Sequence, residues 1–172
     1  MKTYETERLI IKPIDLDDAG FILKLYNMPK FIEYIGDKNI RSIGDAENYI
    51  KVRFLPQLQE LGFGNYTIIL KDNNATIGAV GVFVRDGLPI MDIGFSFLEE
   101  YEGKGYAYES AMKVKSIAMD DFGLQQLSAI VAKNNFASQK LIQKLGLVFQ
   151  KYVTLPGDEE ELLYFEYPQN KS

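Results

Sequence analysis

The pattern of apolar and polar residues between positions 90 and 97 predicts a β-strand, because the two kinds of residue alternate there. From Ala107 to Phe122 the apolar residues recur every three to four positions, the spacing of one helix face. A turn rich in small residues joins these two segments. The apolar face of the strand consists of Met91, Ile93, Phe95 and Phe97. The centre of the chain is therefore expected to form a strand–turn–helix unit.

The same reasoning, with turn and capping residues marking the ends, predicts the other elements. Pro56 falls inside a predicted helix and is expected to kink or break it. Three successive strands joined by tight turns predict an antiparallel meander. Strands are predicted over 8–14, 65–71, 76–84, 90–97, 127–131, 147–153 and 161–167, and helices over 16–26, 31–34, 45–61, 107–122 and 135–145.

This order of elements predicts the fold class. Strands and helices alternate in the second half of the chain, which indicates helices on both faces of a sheet. We expect an α/β (α+β) fold with a mixed, mostly antiparallel sheet of about six to seven strands. A length of 172 residues is typical of one domain. A single domain is therefore predicted over 1–172, with its core over about 6–168 and a frayed tail from Pro168 onward.

Two absent residue types restrict the chemistry. The chain has no cysteine and no histidine. An acyl-cysteine intermediate, a Ser-His-Asp triad and a histidine–cysteine zinc site are therefore excluded, and we predict no metal cofactor. Any general base must be a carboxylate, a tyrosine or a water chain.

Charge and hydropathy restrict the partners and the location. The net charge of −5 and the lack of a basic cluster argue against nucleic acid and mildly favour a cationic acceptor such as an amine. No apolar run approaches the roughly 20 residues needed to span a bilayer, and the first residues lack a signal-peptide pattern. We expect a cytoplasmic protein that binds no membrane, which also fits the absence of cysteine.

The turn before the long helix has the features of an anion site. Gly103 and Gly105 precede the helix, where unpaired N–H groups meet the positive end of the helix dipole. Without a Cβ, glycine lets a phosphate approach the backbone. The turn is not a P-loop, because Lys104 is followed by glycine, and not a dinucleotide loop, because Tyr108 replaces the third glycine. The alternative is a plain connection with no ligand.

Residues 102–107, Glu-Gly-Lys-Gly-Tyr-Ala, resemble the acetyl-CoA pyrophosphate loop of the GNAT acetyltransferase superfamily, Q/R-x-x-G-x-G/A. The G-K-G-Y-A form and the opening segment Thr6 to Ala19 look most like the RimJ/RimL-like branch, which acetylates protein N-termini and small amines. The predicted order of elements is also that of GNAT enzymes. The resemblance implies direct acetyl transfer from acetyl-CoA to a primary amine in a ternary complex. It also implies a possible homodimer, which is common in this branch.

The loop departs from the family pattern at Glu102, which stands at the Q/R position. We expect its side chain to point to water, because it would repel a diphosphate. The N–H groups near the end of the preceding strand would face the thioester if that end splays open. The residues that the resemblance and this reasoning assign to the co-substrate are Phe97, Leu98, Gly103, Lys104, Gly105, Tyr106, Ala107, Asn135 and Ser138.

A second block, Val131 to Gly146, resembles the family's N-x-x-S…LGF pattern, with Leu147 in place of the phenylalanine. Asn135 matches the asparagine that contacts the pantetheine arm; it is either a helix cap alone or a cap and a ligand. Many GNAT enzymes protonate the leaving thiolate with a tyrosine at the position of Ile142, which has no proton to donate. Ser138 is therefore the candidate donor to the thiolate.

Asp92 lies on the strand face opposite the apolar one and matches the acidic residue common at this family position. It is the candidate general base, acting through water; the alternative is a solvated residue at the strand start. In this family the helices after the first strand shape the acceptor side of the cleft, so the resemblance makes Phe31, Tyr34, Tyr49 and Phe54 candidate cleft residues. The alternative for these aromatic residues is simple packing of helices on the sheet.

Two other functions remain open. Glu102, Ile142 and Leu147 allow a non-catalytic module that binds or senses acyl-CoA. A structural protein with an empty loop is the other alternative. The sequence does not identify the amine acceptor, because the residues that would line its site lie in the helices least typical of the family.

Overall fold

The computed structural model of the protein describes residues 1–168, and the strands in that range form one sheet. Apart from Pro168, the predicted tail lies outside the described residues. The strands are β1 (Tyr4–Glu5), β2 (Leu9–Pro13), β3 (Asn65–Leu70), β4 (Thr76–Phe83), β5 (Asp92–Phe97), β6 (Ser128–Ala132), β7 (Val148–Val153) and β8 (Leu162–Glu166). The α-helices are α1 (Ala19–Tyr26), α2 (Pro29–Tyr34), α3 (Ile43–Tyr49), α4 (Leu55–Leu61), α5 (Tyr106–Ser116) and α6 (Phe136–Lys144).

The sheet is mixed and mostly antiparallel, as predicted. Its strands lie in the order β1-β2-β3-β4-β5-β6-β8-β7, and β5 and β6 form the parallel pair. The predicted meander is confirmed by antiparallel pairing of β3 with β4 and of β4 with β5. The sheet has eight strands rather than the predicted six to seven. The additional strand, β1, pairs with β2 but is only two residues long, which is too short for an alternating pattern to be visible.

The parallel pair β5–β6 separates soon after it begins. Asp92 pairs with Ser128, and no further pair follows, although both strands continue for four residues or more. The Ser128 N–H donates to the Met91 carbonyl at 2.9 Å and fixes the point at which the strands meet. Beyond that point the strands part and leave a gap in the middle of the sheet.

The predicted helix over 45–61 is interrupted, as its proline indicated. A π-helical segment, Ile50–Phe54, separates α3 from α4, and Pro56 lies in the first turn of α4. Proline has no N–H to donate to the preceding turn, so a regular helix cannot pass through it. The Ser42 hydroxyl accepts from the Asp45 N–H at 3.0 Å and caps α3.

Helices cover both faces of the sheet, which confirms the predicted architecture. Val80 packs in the same core as Ala111 and Val114 of α5. Its neighbour Ala79, on the opposite face of β4, packs instead with the residues of α1 to α4. The two cores therefore lie on opposite sides of one sheet, and the gap between β5 and β6 opens between them.

Candidate functional site

A cleft of about 730 Å³ occupies the gap between β5 and β6. Its walls come from both parted strands, from the start of α5 and from the first half of α6. One end of the cleft reaches the glycine loop, defined as residues 102–107. The other end reaches the β4–β5 connection, and we call it the acceptor end. α2 lines the cleft between the two ends, because its Lys30 pairs with Glu102 of the loop.

The peptide groups of β5 differ in the direction they face. The Leu98 N–H donates to the Ile77 carbonyl on the β4 side at 2.9 Å, and peptide groups alternate in direction along an antiparallel strand. Those of Phe95 and Phe97 therefore face the gap. The sequence analysis expects the Phe97 N–H to face the thioester, and this register agrees with that expectation. The expectation for the Leu98 N–H is wrong, because a strand neighbour already accepts its hydrogen.

The glycine loop presents a run of unpaired amides. Among the described residues, neither a carbonyl nor a side-chain oxygen accepts from the N–H groups of residues 103–108, and the next amide, that of Glu109, donates to the Gly105 carbonyl. Because α5 begins at Tyr106, these amides lie at the positive end of its dipole. The loop can therefore bind a diphosphate through its main chain.

The left-handed backbone of the loop explains its two glycines. Gly103 has φ of 75° and Gly105 has φ of 83°, a conformation that residues with a Cβ adopt only with strain. A Cβ on Gly103 would meet open space, whereas one on Gly105 would lie 3.3 Å from Nη2 of Arg8. Both positions need glycine for backbone conformation, and Gly105 is also crowded by Arg8.

Arg8, the residue just before β2, supports the loop, a role that the sequence reasoning missed. Its Nε donates to Oε1 of Glu109 at 2.7 Å and its Nη1 donates to the Lys104 carbonyl at 2.9 Å. The guanidinium also lies 4.4 Å from the ring centroid of Tyr106. No local pattern indicates this contact, because Arg8 and Glu109 are 101 residues apart.

Glu109 is held ionised at the helix start. Partial burial alone would raise its pKa, but hydrogen bonds from Thr6 and Arg8 and the charge of Arg8 hold the pKa of Glu109 below its ordinary value. The Thr6 hydroxyl donates to Oε2 at 2.6 Å. The carboxylate thus ties the start of β2 to the first turn of α5.

Glu102, the residue that departs from the family pattern, is paired rather than solvated alone. Its side chain is 39% exposed, and Oε2 accepts from Nζ of Lys30 at 2.8 Å. This hydrogen bond raises the pKa of Lys30. Lys104 keeps its ammonium near Tyr101, 5.9 Å from the ring centroid. Lys30 therefore offsets the negative charge of Glu102, and Lys104 supplies a second positive charge beside the loop.

Asn135 caps α6, as predicted. Its Oδ1 accepts from the Ser138 N–H at 3.3 Å, and both residues line the cleft. Ile142, one turn further on, is 2% exposed and belongs to the core at the cleft wall. The amide nitrogen of Asn135 and the hydroxyl of Ser138 remain the polar groups that this helix offers to the cleft.

Asp92 is buried where β5 and β6 meet. It is 1% exposed and accepts from two nitrogens of Arg85, Nε at 2.9 Å and Nη2 at 3.1 Å. Burial raises the pKa of Asp92, although the hydrogen bonds and charge of Arg85 oppose the shift. The alternative of a solvated aspartate at the strand start is therefore excluded.

Phe31 and Tyr34 of α2 both line the cleft, as the sequence predicts. Phe31 also stacks on Tyr26, with 4.1 Å between the ring centroids. Tyr49 and Phe54 do not form part of the lining; they pack edge to face on one another at 5.5 Å. For these two residues the packing interpretation is correct.

Two cations at the acceptor end were missed by the sequence reasoning, namely Lys38 and Arg85. Arg85 lies in the β4–β5 connection, two residues beyond the Phe83–Asp92 pair. The predicted hairpin carried enough information to place Arg85 near Asp92. Lys38 follows α2 in a segment without regular structure, and no pattern indicates its direction.

Comparison with known proteins agrees with this geometry. The model of the acetyltransferase (GNAT) domain matches residues 8–148. The uncharacterized N-acetyltransferase YoaA of Bacillus subtilis (strain 168) is 31% identical over 148 residues, which cover 86% of this chain and 82% of YoaA. Both matches span the glycine loop and the parted strands.

Solved structures share the fold at low sequence identity. An acetyltransferase from Agrobacterium tumefaciens str. C58 has a TM-score of 0.81 at 22% identity, covering 98% of this chain and 95% of its own. RimL, a ribosomal L7/L12 alpha-N-protein acetyltransferase in complex with coenzyme A, has a TM-score of 0.80 at 15% identity, covering 96% and 97%. Among residues 1–168, no helix combines the length and apolar character needed to cross a membrane.

Proposed function

This chain belongs to the GNAT acetyltransferase family, and from that membership we propose that it transfers an acetyl group directly from acetyl-CoA to a primary amine in a ternary complex. The observation that carries the proposal is the run of unpaired amides over residues 103–108, which opens into a cleft between two parted strands. Acetyl-CoA combines a diphosphate with an extended amide-bearing arm, and the loop and the gap match these two parts.

The residues that would hold acetyl-CoA follow from this match. The amides of Gly103 to Ala107 would bind the diphosphate, with Lys104 adding a positive charge. The peptide groups of Phe95 and Phe97 would bind the pantetheine arm, as an additional strand would. Asn135 would contribute its side-chain amide from the opposite wall. Acetyl-CoA would supply the activated thioester; the chain supplies orientation and proton transfer.

The transfer requires one new bond and one broken bond. The neutral amine attacks the thioester carbonyl carbon, a C–N bond forms, and the C–S bond breaks to release the CoA thiolate. We assign to Asp92 the acceptance of the amine proton, through a water molecule because the carboxylate is 1% exposed. Its raised pKa brings this base closer to neutral pH, where proton transfer is most efficient.

We assign to Ser138 the stabilisation of the leaving thiolate. Its hydroxyl has no hydrogen-bond partner within residues 1–168 and borders the cleft. A hydroxyl near sulfur stabilises the thiolate by donating a hydrogen bond to it, and the thiolate takes its proton from water after release. This role compensates for Ile142, which has no proton to donate.

The loop sequence and the shared fold with RimL support a place in the RimJ/RimL-like branch. The cytoplasmic location, the homodimer and the domain limits of 1–172 stay predictions. A non-catalytic acyl-CoA-binding module is the second candidate. Buried Ile142 occupies the position in the cleft wall at which many family members carry the tyrosine that protonates the thiolate.

One assay separates the two candidates. The purified protein is mixed with acetyl-CoA and a panel of primary amines, and free thiol is measured over time. Thiol release that depends on an amine is expected for the enzyme. If calorimetry shows CoA binding but no amine releases thiol, the sensing module is the better description. If CoA at near-millimolar concentration does not bind, the loop assignment is wrong.

A further inference from the structure

We propose that the acceptor is a small amino acid, with a carboxylate close to the reacting amine, and that Arg85 and Lys38 bind this carboxylate. The inference rests on the proposed function, since it names the substrate class of the same cleft. It starts from two cations at the acceptor end, Arg85 and Lys38, which line the cleft together with Asp92, Asp158 and Glu160.

Arg85 is only partly used by the protein. Its Nε and Nη2 donate to Asp92, whereas Nη1 has no partner among the described residues. A guanidinium carries five N–H donors in a planar fork, so most of the fork remains available. The side chain is 38% exposed and borders the cleft. Arg85 therefore presents unused donors to a ligand at the acceptor end.

Asp92 holds the guanidinium of Arg85 in place. The two hydrogen bonds of 2.9 Å and 3.1 Å come from adjacent nitrogens and fix the plane of the fork. A side chain that is already oriented loses little freedom when it binds an anion. The buried carboxylate thus prepares Arg85 for a second, incoming carboxylate.

Lys38 adds a second positive charge at the same end. It borders the cleft and forms no salt bridge with any residue in the range 1–168. Loss of solvent around the ammonium, followed by the positive charge of Arg85, lowers the pKa of Lys38, although Asp158 opposes the shift. Asp158 and Glu160 also border the cleft but are not paired with Lys38. Lys38 and Arg85 thus line the same cleft, and each can bind an anion there.

The positions of these groups set the spacing of the acceptor's own groups. The amine must reach the neighbourhood of Asp92, and the carboxylate must reach the Nη1 edge of Arg85 beside it. Because Arg85 is hydrogen-bonded to Asp92, the two points are adjacent, and a short molecule with one or two carbons between amine and carboxylate fits between them. Phe31, Tyr34 and Ile35 also line the cleft, which favours an apolar side chain. The structure therefore points to apolar α- or β-amino acids.

This substrate class makes a sharp contrast with the alternatives. A polyamine would place a second cation against Arg85 and Lys38. A peptide N-terminus has a neutral amide where an amino acid has its carboxylate. Comparing an amino acid with its own amide isolates that single difference.

The experiment measures kcat/KM for L-leucine against L-leucinamide, and for L-phenylalanine against its amide, by thiol release with saturating acetyl-CoA. We expect the acids to be preferred by about tenfold to a hundredfold, the range of one or two charge-assisted hydrogen bonds. The amides have the less basic amines, so more of their amine is neutral, and this difference works against the expected preference.

Three variants test the assignment. Lys38→Gln is expected to lower kcat/KM for the acids several-fold through KM and to leave the amides unchanged. Arg85→Gln is expected to remove the preference for the acids. Lys51→Gln, at an exposed helical position away from the cleft, is the matched control and should leave both substrates unchanged.

The failures are distinguishable. If amides or polyamines react as well as the acids or better, the amino-acid inference is overturned and the acetyltransferase proposal remains. If Lys38→Gln lowers kcat/KM equally for the acids and for the amides, the carboxylate-binding role of Lys38 is overturned. If no amine of any class releases thiol, the proposed function fails, and this inference fails with it.

Discussion

The two ends of the cleft are built from different parts of the polypeptide. At the glycine loop the groups offered to a ligand are main-chain amides, held by the backbone conformation of Gly103 and Gly105. At the acceptor end they are side chains, above all Asp92 and Arg85. A main-chain site depends on a few glycines and one helix start. A side-chain site depends on every residue that forms it, so the acceptor can change between relatives while the co-substrate stays the same.

The largest effect is expected from Asp92→Asn, which alters the acceptor end alone. We expect kcat to fall about 100-fold, a typical contribution of a general base, and CoA affinity to stay within about twofold. A base must be deprotonated, so turnover should fall as pH drops through the raised pKa of Asp92. The variant should lack this acid limb. Stopped-assay rates over pH and calorimetry with CoA measure the two quantities.

A matching melting temperature would show that the Asp92→Asn variant is folded. Turnover equal to that of the wild type would remove the proposed role of Asp92. If CoA affinity and turnover fell by the same factor, the two ends of the cleft would not be independent. The contrast between a main-chain site and a side-chain site would then be wrong.

The next effect is expected from Gly105→Val, which alters the loop end. A β-branched residue is strained at φ of 83° and crowds Arg8. Displacing the loop amides should weaken CoA binding by about tenfold or more, the loss of at least one hydrogen bond to a charged group. Calorimetry measures the affinity, and kcat at saturating acetyl-CoA should change much less.

Gly123→Val is the matched control for this prediction. Gly123 has φ of 74°, a Cβ there meets no atom within 4 Å, and the residue does not border the cleft. It should reproduce the backbone strain and leave CoA affinity unchanged. A folded Gly105→Val variant with wild-type affinity would show that the loop does not bind the diphosphate.

The smallest effect is expected from Glu102→Gln at the mouth of the loop. Removing the negative charge frees Lys30, and CoA affinity should rise about two- to threefold at low salt. The gain should vanish at high ionic strength, because exposed charges are screened. Titrations at two salt concentrations measure it. Unchanged affinity at low salt would show that Lys30 already neutralises Glu102 completely.

The sequence predicted the parts of the molecule that follow from local pattern. The strand–turn–helix unit, the break before Pro56 and the Asn135 cap each depend on residues close together in the chain, and each is confirmed. The direction of the Leu98 N–H depends on the pairing register of β4 and β5. A shift of one residue would reverse it, and hydrophobic alternation alone does not report which peptide groups pair.

The cations of the site were harder to predict, for a physical reason. Arg8 acts on a helix 101 residues away, and Lys38 reaches the cleft from an irregular segment. Exposed lysines and arginines show no periodic pattern in the sequence, because they are well solvated at most surface positions. Their roles become visible only when the topology brings distant segments together.

The parting of β5 and β6 also bears on the risk of aggregation through unpaired strand edges. An unpaired strand edge can pair with another chain and start aggregation. The separation creates two such edges in addition to those of β1 and β7, yet the new edges face each other across the cleft. The outer edges are blunted as well: β1 is two residues long, and β7 carries Lys151 beside a bulge. The molecule thus places these unpaired backbone groups inside the cleft between β5 and β6 rather than on an outer edge of the sheet.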